Sequence, residues 1–179
     1  GRTYTHLCAQ AERPDNMVTI IGPSKTESLS GYRLGVAFGS AAIIERMEKL
    51  QAIVSLRAPG YCQAVFASWF AEPEGWMEQR VAEHQAIRDS LLAKFLACPG
   101  VTARATEAGS YLFPKLPPLA VSGVDFVKIL RAHANVTVTP GTEFGPQFTD
   151  SFRINFSQDR KAAEAAVDRI ITMIERYRI

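Results

Sequence analysis

The sequence of 179 residues contains few of the residues that mark metal sites and disulfide frameworks. Its three cysteines, Cys8, Cys62 and Cys98, are odd in number and far apart. Such spacing fits neither a zinc knuckle nor a set of disulfide bonds, so we expect free thiols and a cytoplasmic protein. The three histidines are equally scattered. The pattern therefore predicts no metal site.

Long apolar segments and a strong charge of one sign are also missing. The most apolar segment, residues 64–71, is far shorter than the roughly 20 residues that a membrane helix needs. Residues 1–15 are polar and lack the apolar middle of a signal peptide. The net charge is +2, and the basic residues are dispersed along the chain. We therefore expect neither a membrane nor a nucleic-acid partner.

The sequence does contain a regular alternation of predicted strands and helices in its first part. Residues 17–22 are rich in β-branched side chains and predict a buried strand, and residues 32–39 predict a second strand. Ser40 is a candidate N-cap, because apolar residues recur at helical spacing up to residue 54. A second helix is predicted over residues 61–71 and is ended by Pro73.

The second part begins with the longest periodic segment, residues 76–96, which predicts a helix ended by Cys98-Pro99-Gly100. Short strands then alternate with loops, and the predicted strands cover residues 101–106, 110–116, 136–139 and 151–156. Helices are predicted over residues 124–134 and 160–177. These patterns indicate an α/β protein with a piece of a sheet layer, a linking helix and a small α+β unit.

The segment between the first two predicted strands carries the chemistry. It reads Gly-Pro-Ser-Lys-Thr-Glu-Ser-Leu-Ser-Gly-Tyr-Arg-Leu-Gly over residues 22–35. Lys25 follows a strand directly, where desolvation would favour the neutral amine that a Schiff base requires. Arg33 lies eight residues further on, and a guanidinium can hold a phosphate by two parallel hydrogen bonds. Taken alone, such a pair is more often a solvated pair of charges.

A phosphate-binding P-loop is excluded for this segment, although Lys25-Thr26 would suit its end. A P-loop needs glycine directly before the lysine and again five residues earlier, so that backbone N–H groups can surround the phosphates. Ser24 and Thr19 occupy these two positions.

The whole spacing resembles the lysine signature of class I and II aminotransferases, which are pyridoxal-phosphate enzymes of fold type I. The residues that match are Gly22, Ser24, Lys25, Ser28, Leu29, Gly31, Arg33, Leu34 and Gly35. The resemblance implies that Lys25 carries pyridoxal 5'-phosphate as a Schiff base and that Arg33, Ser24 and Gly22 contact the cofactor. Pro23 departs from the pattern. Gly22 has no hydroxyl, so a phosphate contact that many members make from this position must be absent.

A second set of residues near the C-terminus resembles the same family. Residues 139–145 (Thr-Pro-Gly-Thr-Glu-Phe-Gly) and 151–156 (Ser-Phe-Arg-Ile-Asn-Phe) are similar to its proline-glycine loop and to the strand that follows. By resemblance, Arg153 binds the α-carboxylate of the amino acid, which a planar guanidinium can hold in a bidentate manner. Tyr111 and Phe144 are implied to line the substrate pocket, although core packing would explain both.

Arg57 is a weaker candidate. Aspartate-type members of the family have an arginine in this region that reaches the neighbouring subunit and pairs with a side-chain carboxylate of the substrate. The local sequence, Ser55-Leu-Arg-Ala-Pro59, matches poorly. A cation near the C-terminus of a helix is the competing interpretation.

The resemblance covers nearly the whole chain and implies the C-terminal part of the fold type I architecture. Its expected divisions are part of the large cofactor-binding domain (residues 1–73), an interdomain helix (74–98) and the small domain (99–179). The aspartate and the tyrosine that contact the cofactor ring in the family lie upstream of this sequence. We therefore expect the partners to be the missing N-terminal half, a second copy in a homodimer, and amino-acid and 2-oxo-acid substrates, with the fragment inactive alone.

Three alternatives stay open at this stage. The same lysine signature serves lyases, decarboxylases and synthases of this fold, because it does not determine which bond is broken. Some transcription regulators fuse a DNA-binding domain to an aminotransferase-like sensor domain. A plain α/β domain without a cofactor is the third alternative.

Overall fold

A computed structural model describes residues 4–179 and divides into two compact units, Gly1–Glu78 (unit 1) and Gln79–Ile179 (unit 2). The division falls within the first turn of the long helix, Trp76–Ala97. The domain limits expected from the sequence, after residues 73 and 98, stay predictions.

Unit 1 contains a two-stranded antiparallel sheet followed by helices. Its elements are β1 (Val18–Ile21), β2 (Val36–Gly39), α1 (Ala41–Val54) and α2 (Gly60–Gln63). The two strands pair from Val18 opposite Gly39 to Ile21 opposite Val36, so the predicted second strand is shorter than residues 32–39. Its first residues form a 3-10 turn, Ser30–Tyr32, within the connecting loop.

The prediction that the first strand is buried is wrong for this chain. Residues of β1 are half-buried or exposed, and Ile20 is 70% exposed. The reason is that a sheet of two strands with few packed neighbours cannot cover its own faces. Ser40 does precede α1, but its side chain makes no capping hydrogen bond. The helix predicted over residues 61–71 is reduced to α2 and a 3-10 helix, Ala64–Ala67.

Unit 2 combines three helices with a small antiparallel sheet. The elements are α3 (Trp76–Ala97), β3 (Tyr111–Leu112), α4 (Gly123–His133), β4 (Thr139–Pro140), β5 (Phe152–Asn155) and α5 (Arg160–Tyr177). The strand order is β3-β5-β4, so β5 is central. The predicted strand over residues 101–106 is reduced to one bridge, between Thr102 and Lys115.

The core of unit 2 lies between the sheet and the three helices. Fully buried side chains from different elements meet there, among them Phe95 of α3, Phe126 of α4, Phe152 of β5 and Val167 of α5. Phe95 and Phe152 pack edge to face with their ring centroids 6.0 Å apart. Such interdigitated aromatic and aliphatic side chains stabilise a domain mainly through the hydrophobic effect.

Helix ends and polar contacts fix the register of these elements. Ser122 caps α4 by accepting a hydrogen bond from the backbone N–H of Asp125 at 3.1 Å, and Asp159 caps α5 in the same way from Ala162 at 2.9 Å. Ser90 of α3 donates to Glu164 of α5 at 2.6 Å. The β5 residue Arg153 is therefore held in a unit with its own core and its own capped helices.

Within residues 4–179, no helix combines the length and the apolar character needed to cross a membrane. Over the same residues, no three histidine, cysteine, aspartate or glutamate side chains lie close enough together to hold a metal ion. All three cysteines are free thiols. Burial raises the pKa of the Cys98 thiol, and the negative charge of Glu175 adds to this effect.

Candidate functional site

The segment with Lys25 and Arg33 is one loop closed by a strand pair. Ile21 and Val36 are direct partners across β1 and β2, so residues 22–35 form the connection between them. Gly22 lies close to the other end of the loop, since a Cβ added at position 22 would be only 2.9 Å from the carbonyl oxygen of Leu34. The two ends of the loop are therefore held together at a distance that a larger residue at position 22 would disturb.

Inside the loop, the backbone is folded over a buried proline. Pro23 is fully buried, and its carbonyl oxygen accepts a hydrogen bond from the N–H of Leu29 at 3.0 Å. Lys25 lies between these two residues and is exposed. The desolvation that the sequence led us to expect around Lys25 is therefore not supplied by the described residues of unit 1. The Lys25 side chain is instead exposed on the loop.

Arg33 follows the 3-10 turn in a left-handed conformation, with φ of 55°. That region is uncommon for a residue other than glycine. Its Nη1 donates to the carbonyl oxygen of Ser30 at 2.9 Å, which holds the side chain against its own loop. Among the described residues of unit 1, no carboxylate lies within ion-pair distance of it. The guanidinium therefore keeps N–H donors available for an anion.

The remaining loop candidates differ in exposure. Ser24 is half-buried next to Lys25, whereas Ser28 and Ser30 are exposed. Ser28 also adopts a positive φ, of 59°. Lys25, Arg33, Ser24 and Gly22 thus lie on one loop, and all are within four residues of the strand pair at its base.

Arg153 lies on β5, the central strand of unit 2, and is half-buried. Its guanidinium carbon lies 4.4 Å from the centroid of the Tyr111 ring and 4.7 Å from that of the Phe144 ring. Its Nη2 donates a long hydrogen bond to Thr139 Oγ1 at 3.4 Å. No carboxylate within the described residues of unit 2 is paired with it. The structure thus brings three predicted substrate residues, Arg153, Tyr111 and Phe144, into one cluster.

The proline-glycine loop sets the place of Phe144. Gly141 is buried, and its N–H donates to the carbonyl oxygen of Ser151 at 2.7 Å. A Cβ at position 141 would lie 2.4 Å from the carbonyl oxygen of Phe148 and 2.6 Å from that of Ser151. Only glycine fits this close approach of backbones. The 3-10 turn Gly141–Phe144 then carries the Phe144 ring to Arg153.

Sequence reasoning missed Thr139 as a contact of Arg153. The two residues are direct partners across β4 and β5. Their polar character was visible in the sequence, but the register that places them opposite each other was not. Phe113 and Phe148 were also missed. Phe113 packs edge to face on both Phe144 and Phe148, at 5.6 and 5.3 Å between ring centroids.

Arg57 lies in unit 1, in the loop after α1, and is exposed. It lines a groove of about 550 Å³ together with Glu45, Glu48 and Lys49 of α1. The groove holds charges of both signs, and Lys49 is paired with Glu45 at 2.6 Å. Leu34 and Gly35, at the end of the Lys25 loop, line the same groove. The predicted contact of Arg57 with a substrate stays a prediction.

Comparison with known proteins gives a consistent result over nearly the whole chain. The family described as aminotransferase class I and II matches residues 2–170. An aspartate aminotransferase of Bacillus subtilis is 29% identical over 99% of this chain and 46% of its own length. One from Pyrococcus horikoshii is 26% identical over 90% of this chain and 42% of its own length.

Solved structures give the same picture. The crystal structure of an aspartate aminotransferase from Rhodobacter sphaeroides 2.4.1 is 67% identical, with a TM-score of 0.94 over 100% of this chain and 46% of that chain. An aspartate aminotransferase from Rhizobium meliloti is 25% identical, with a TM-score of 0.76 over 89% of this chain and 42% of that chain. This chain spans somewhat less than half the length of these relatives, and the expected C-terminal part of an α/β aminotransferase fold is confirmed.

Proposed function

Because the chain belongs to the class I and II aminotransferase family, we propose that it serves the pyridoxal-phosphate-dependent transfer of an amino group between an amino acid and a 2-oxo acid. The chain spans less than half of its relatives' length. The proposal therefore concerns a longer protein, in which an N-terminal half completes the site and this part alone is inactive.

The residues of the Lys25 loop fit the cofactor. They provide an exposed primary amine, a guanidinium without a carboxylate partner and a half-buried hydroxyl on one loop. When bound, pyridoxal phosphate supplies an aldehyde for linkage to an amine and an electron-withdrawing ring that acidifies the Cα–H bond of an attached amino acid. Lys25 would carry the cofactor, while Arg33 and Ser24 would bind its phosphate. Gly22 would allow a close backbone approach.

Each residue then has a defined task in the proposed reaction. Arg153 binds the α-carboxylate of the amino acid and so fixes which bond at Cα is presented to the cofactor. The amine of Lys25 would act as the general base that takes the proton from Cα and as the general acid that gives it back. Arg33 would hold the phosphate of the cofactor. Tyr111 and Phe144 border the carboxylate site.

The observation that carries this proposal is the Lys25 loop itself. An amine and a guanidinium without a carboxylate partner lie on one loop, whose ends are joined by the Ile21–Val36 pair. In a protein of the relatives' full length, Lys25→Ala should abolish the absorbance of the lysine-linked cofactor. Lys49→Ala, which removes a lysine of the same unit that is paired with Glu45, should leave it unchanged. Persistence of the absorbance in Lys25→Ala would show that another amine carries the cofactor.

The names of the relatives favour transamination, and aspartate as a substrate, over lyase, decarboxylase, synthase or sensor functions. Arg57 is then proposed to pair with the side-chain carboxylate of an acidic substrate. Half-reactions with aspartate, alanine and phenylalanine test both statements. Aspartate should form its 2-oxo acid, and Arg57→Ala should slow aspartate about 10-fold or more while leaving alanine unchanged, since a lost charge-assisted hydrogen bond costs about 1.5–3 kcal/mol. If Arg57→Ala slows aspartate and alanine equally, the role proposed for Arg57 is wrong.

Assembly as a homodimer in the cytoplasm completes the proposal. Family membership supports the dimer, and the three free thiols accord with a reducing compartment. Sedimentation of a protein of the relatives' full length should give the mass of two chains. A monomer that is fully active would contradict this part of the proposal.

A further inference from the structure

We propose that Tyr111 and Phe144 are positioning residues, which hold the guanidinium of Arg153 in the orientation that binds a carboxylate. This inference rests on the proposed function in that it takes a carboxylate as the ligand of Arg153. It goes beyond that function because the two rings act through the arginine, and do not need to touch the rest of the substrate.

The geometry places both rings on the guanidinium. Their centroids are 4.4 Å (Tyr111) and 4.7 Å (Phe144) from the guanidinium carbon. Both distances are within the roughly 6 Å over which a cation is attracted to the face of a ring. Arg153 is half-buried, so the contacts lie in a partly desolvated place where such an attraction is stronger than at a fully exposed one.

Each ring is held there by a separate part of the sheet. Tyr111 pairs with Asn155 of β5, which makes it a diagonal neighbour of Arg153 on that strand. Phe144 is brought in by the Gly141 turn and is supported by the edge-to-face contact with Phe113. Since neither ring depends on the other for its place, loss of one should leave the other against Arg153.

The other contacts of Arg153 leave its donors free for a ligand. A guanidinium has five N–H donors, and the bond to Thr139 is long, at 3.4 Å. The two aromatic rings occupy almost none of these N–H donors. They restrict rotation of the Arg153 side chain and exclude water from the sides of the guanidinium that they cover. The arginine is therefore oriented before a carboxylate arrives, which reduces the entropy lost on binding.

The test uses a protein of the relatives' full length and two probes, acetate and 3-phenylpropanoate. Binding is measured by NMR titration of the Arg153 Nε–Hε resonance. Acetate is little more than a carboxylate, so a ring that merely lines a pocket for side chains should not affect it. The variants are Tyr111→Leu and Phe144→Leu, with Tyr111→Phe and Phe144→Tyr as ring-retaining counterparts. Phe148→Leu is the matched control, because Phe148 packs on Phe113 in the same aromatic cluster.

We expect each leucine variant to weaken acetate binding by about 2- to 10-fold, the range that follows from the usual entropy cost of immobilising one flexible side chain on binding. The ring-retaining variants and Phe148→Leu should bind acetate as the unchanged chain does. If Tyr111→Leu unfolds, Phe144→Leu and Phe144→Tyr still test the inference. Phe144 is 42% exposed, so replacing its ring removes little of the core.

Two results would overturn the inference. One is unchanged acetate binding in both leucine variants, whether or not 3-phenylpropanoate binding falls. The other is equal weakening in Phe148→Leu, which would indicate a general disturbance of the cluster. A failure of the proposed function would give different results. Either Arg153→Leu would leave the affinity for acetate unchanged, or Lys25 would not carry the cofactor.

Discussion

The two units of this chain bury their apolar residues very differently. In unit 2, twenty buried residues form one continuous core that includes Phe95, Phe126 and Phe152. In the described part of unit 1, the buried residues are Pro23, Leu34, Cys62 and Trp69. Large hydrophobic side chains are instead exposed there, among them Ile53 at 84% and Phe70 at 75%.

This difference also distinguishes the surroundings of the two sets of predicted site residues. Arg153 and its aromatic neighbours belong to a unit whose own core can hold them in place. Lys25 and Arg33 belong to a unit that exposes apolar surface of the kind found at interfaces with other protein surfaces. We therefore expect the carboxylate site to be formed by this chain alone, and the cofactor loop to need further covering surface.

The largest effect should come from a cavity in the core of unit 2. Phe95→Ala removes a fully buried ring that packs on Phe152, and should lower the free energy of unfolding by about 3–5 kcal/mol. Leu96→Ala changes the next residue of the same helix, which is 53% exposed, and should cost less than about 1 kcal/mol. Urea denaturation followed by circular dichroism measures both. Similar losses in the two variants would remove the contrast between core and surface.

A smaller effect should follow from filling the backbone contact at Gly141. Gly141→Ala places a methyl group 2.4 Å from the carbonyl oxygen of Phe148, so the loop must shift. We expect a loss of about 1–3 kcal/mol, typical of overpacking, together with weaker acetate binding at Arg153. Gly60→Ala, in unit 1, is the control, because a Cβ at that position has nothing within 4 Å. An unchanged stability of Gly141→Ala would mean that the loop adapts without cost.

The smallest effect concerns a polar contact on the surface of unit 2. The hydrogen bond from Ser90, followed by that from Arg160, lowers the pKa of Glu164. A lowered pKa in the folded state means that the stabilisation is present above the pKa of the unfolded state and is lost as the pH falls through the folded one. Ser90→Ala should therefore reduce stability slightly at neutral pH, and the difference should shrink in acid.

Denaturation at a series of pH values between about 7 and about 3 measures this difference, because the range spans the ordinary pKa of glutamate. Thr172→Ala is the control, since that hydroxyl donates to the backbone oxygen of Asp168 and not to a carboxylate. A Ser90→Ala difference that stays constant over the whole range would contradict the role of Glu164.

The contrast between units also explains which features the sequence could predict. The helix α5 matches the predicted residues 160–177, whereas α3 differs from prediction by one residue at its end and α4 by one residue at each end. The helices α4 and α5 have clear apolar faces, and α3 buries Ile87, Leu91 and Phe95 in the core of unit 2. The strands were predicted too long, because strand length depends on partners that are distant in sequence. The segment 101–106, for example, forms a single bridge in the structure, between Thr102 and Lys115.

The same contrast between local pattern and distant pairing applies to the residues of the candidate site. The Lys25 loop could be predicted because its residues are contiguous and their spacing is specific. Arg153 was predicted through the loop that precedes its strand. Its contacts with Tyr111 and Thr139 depend on the pairing of three strands, and no local pattern of residues reveals that register. The exposure of Lys25 was also not foreseen, since burial of β1 depends on surfaces outside its own segment.

The most direct test of the central claim is to locate the amine that carries the cofactor. A protein of the relatives' full length containing these residues would be loaded with pyridoxal phosphate, reduced with borohydride, digested and mapped by mass spectrometry. Reduction converts an imine into a stable secondary amine, so the label marks the lysine that was linked. We expect the pyridoxyl group on the peptide that contains Lys25. A label on a different lysine, with Lys25 unmodified, would contradict the account.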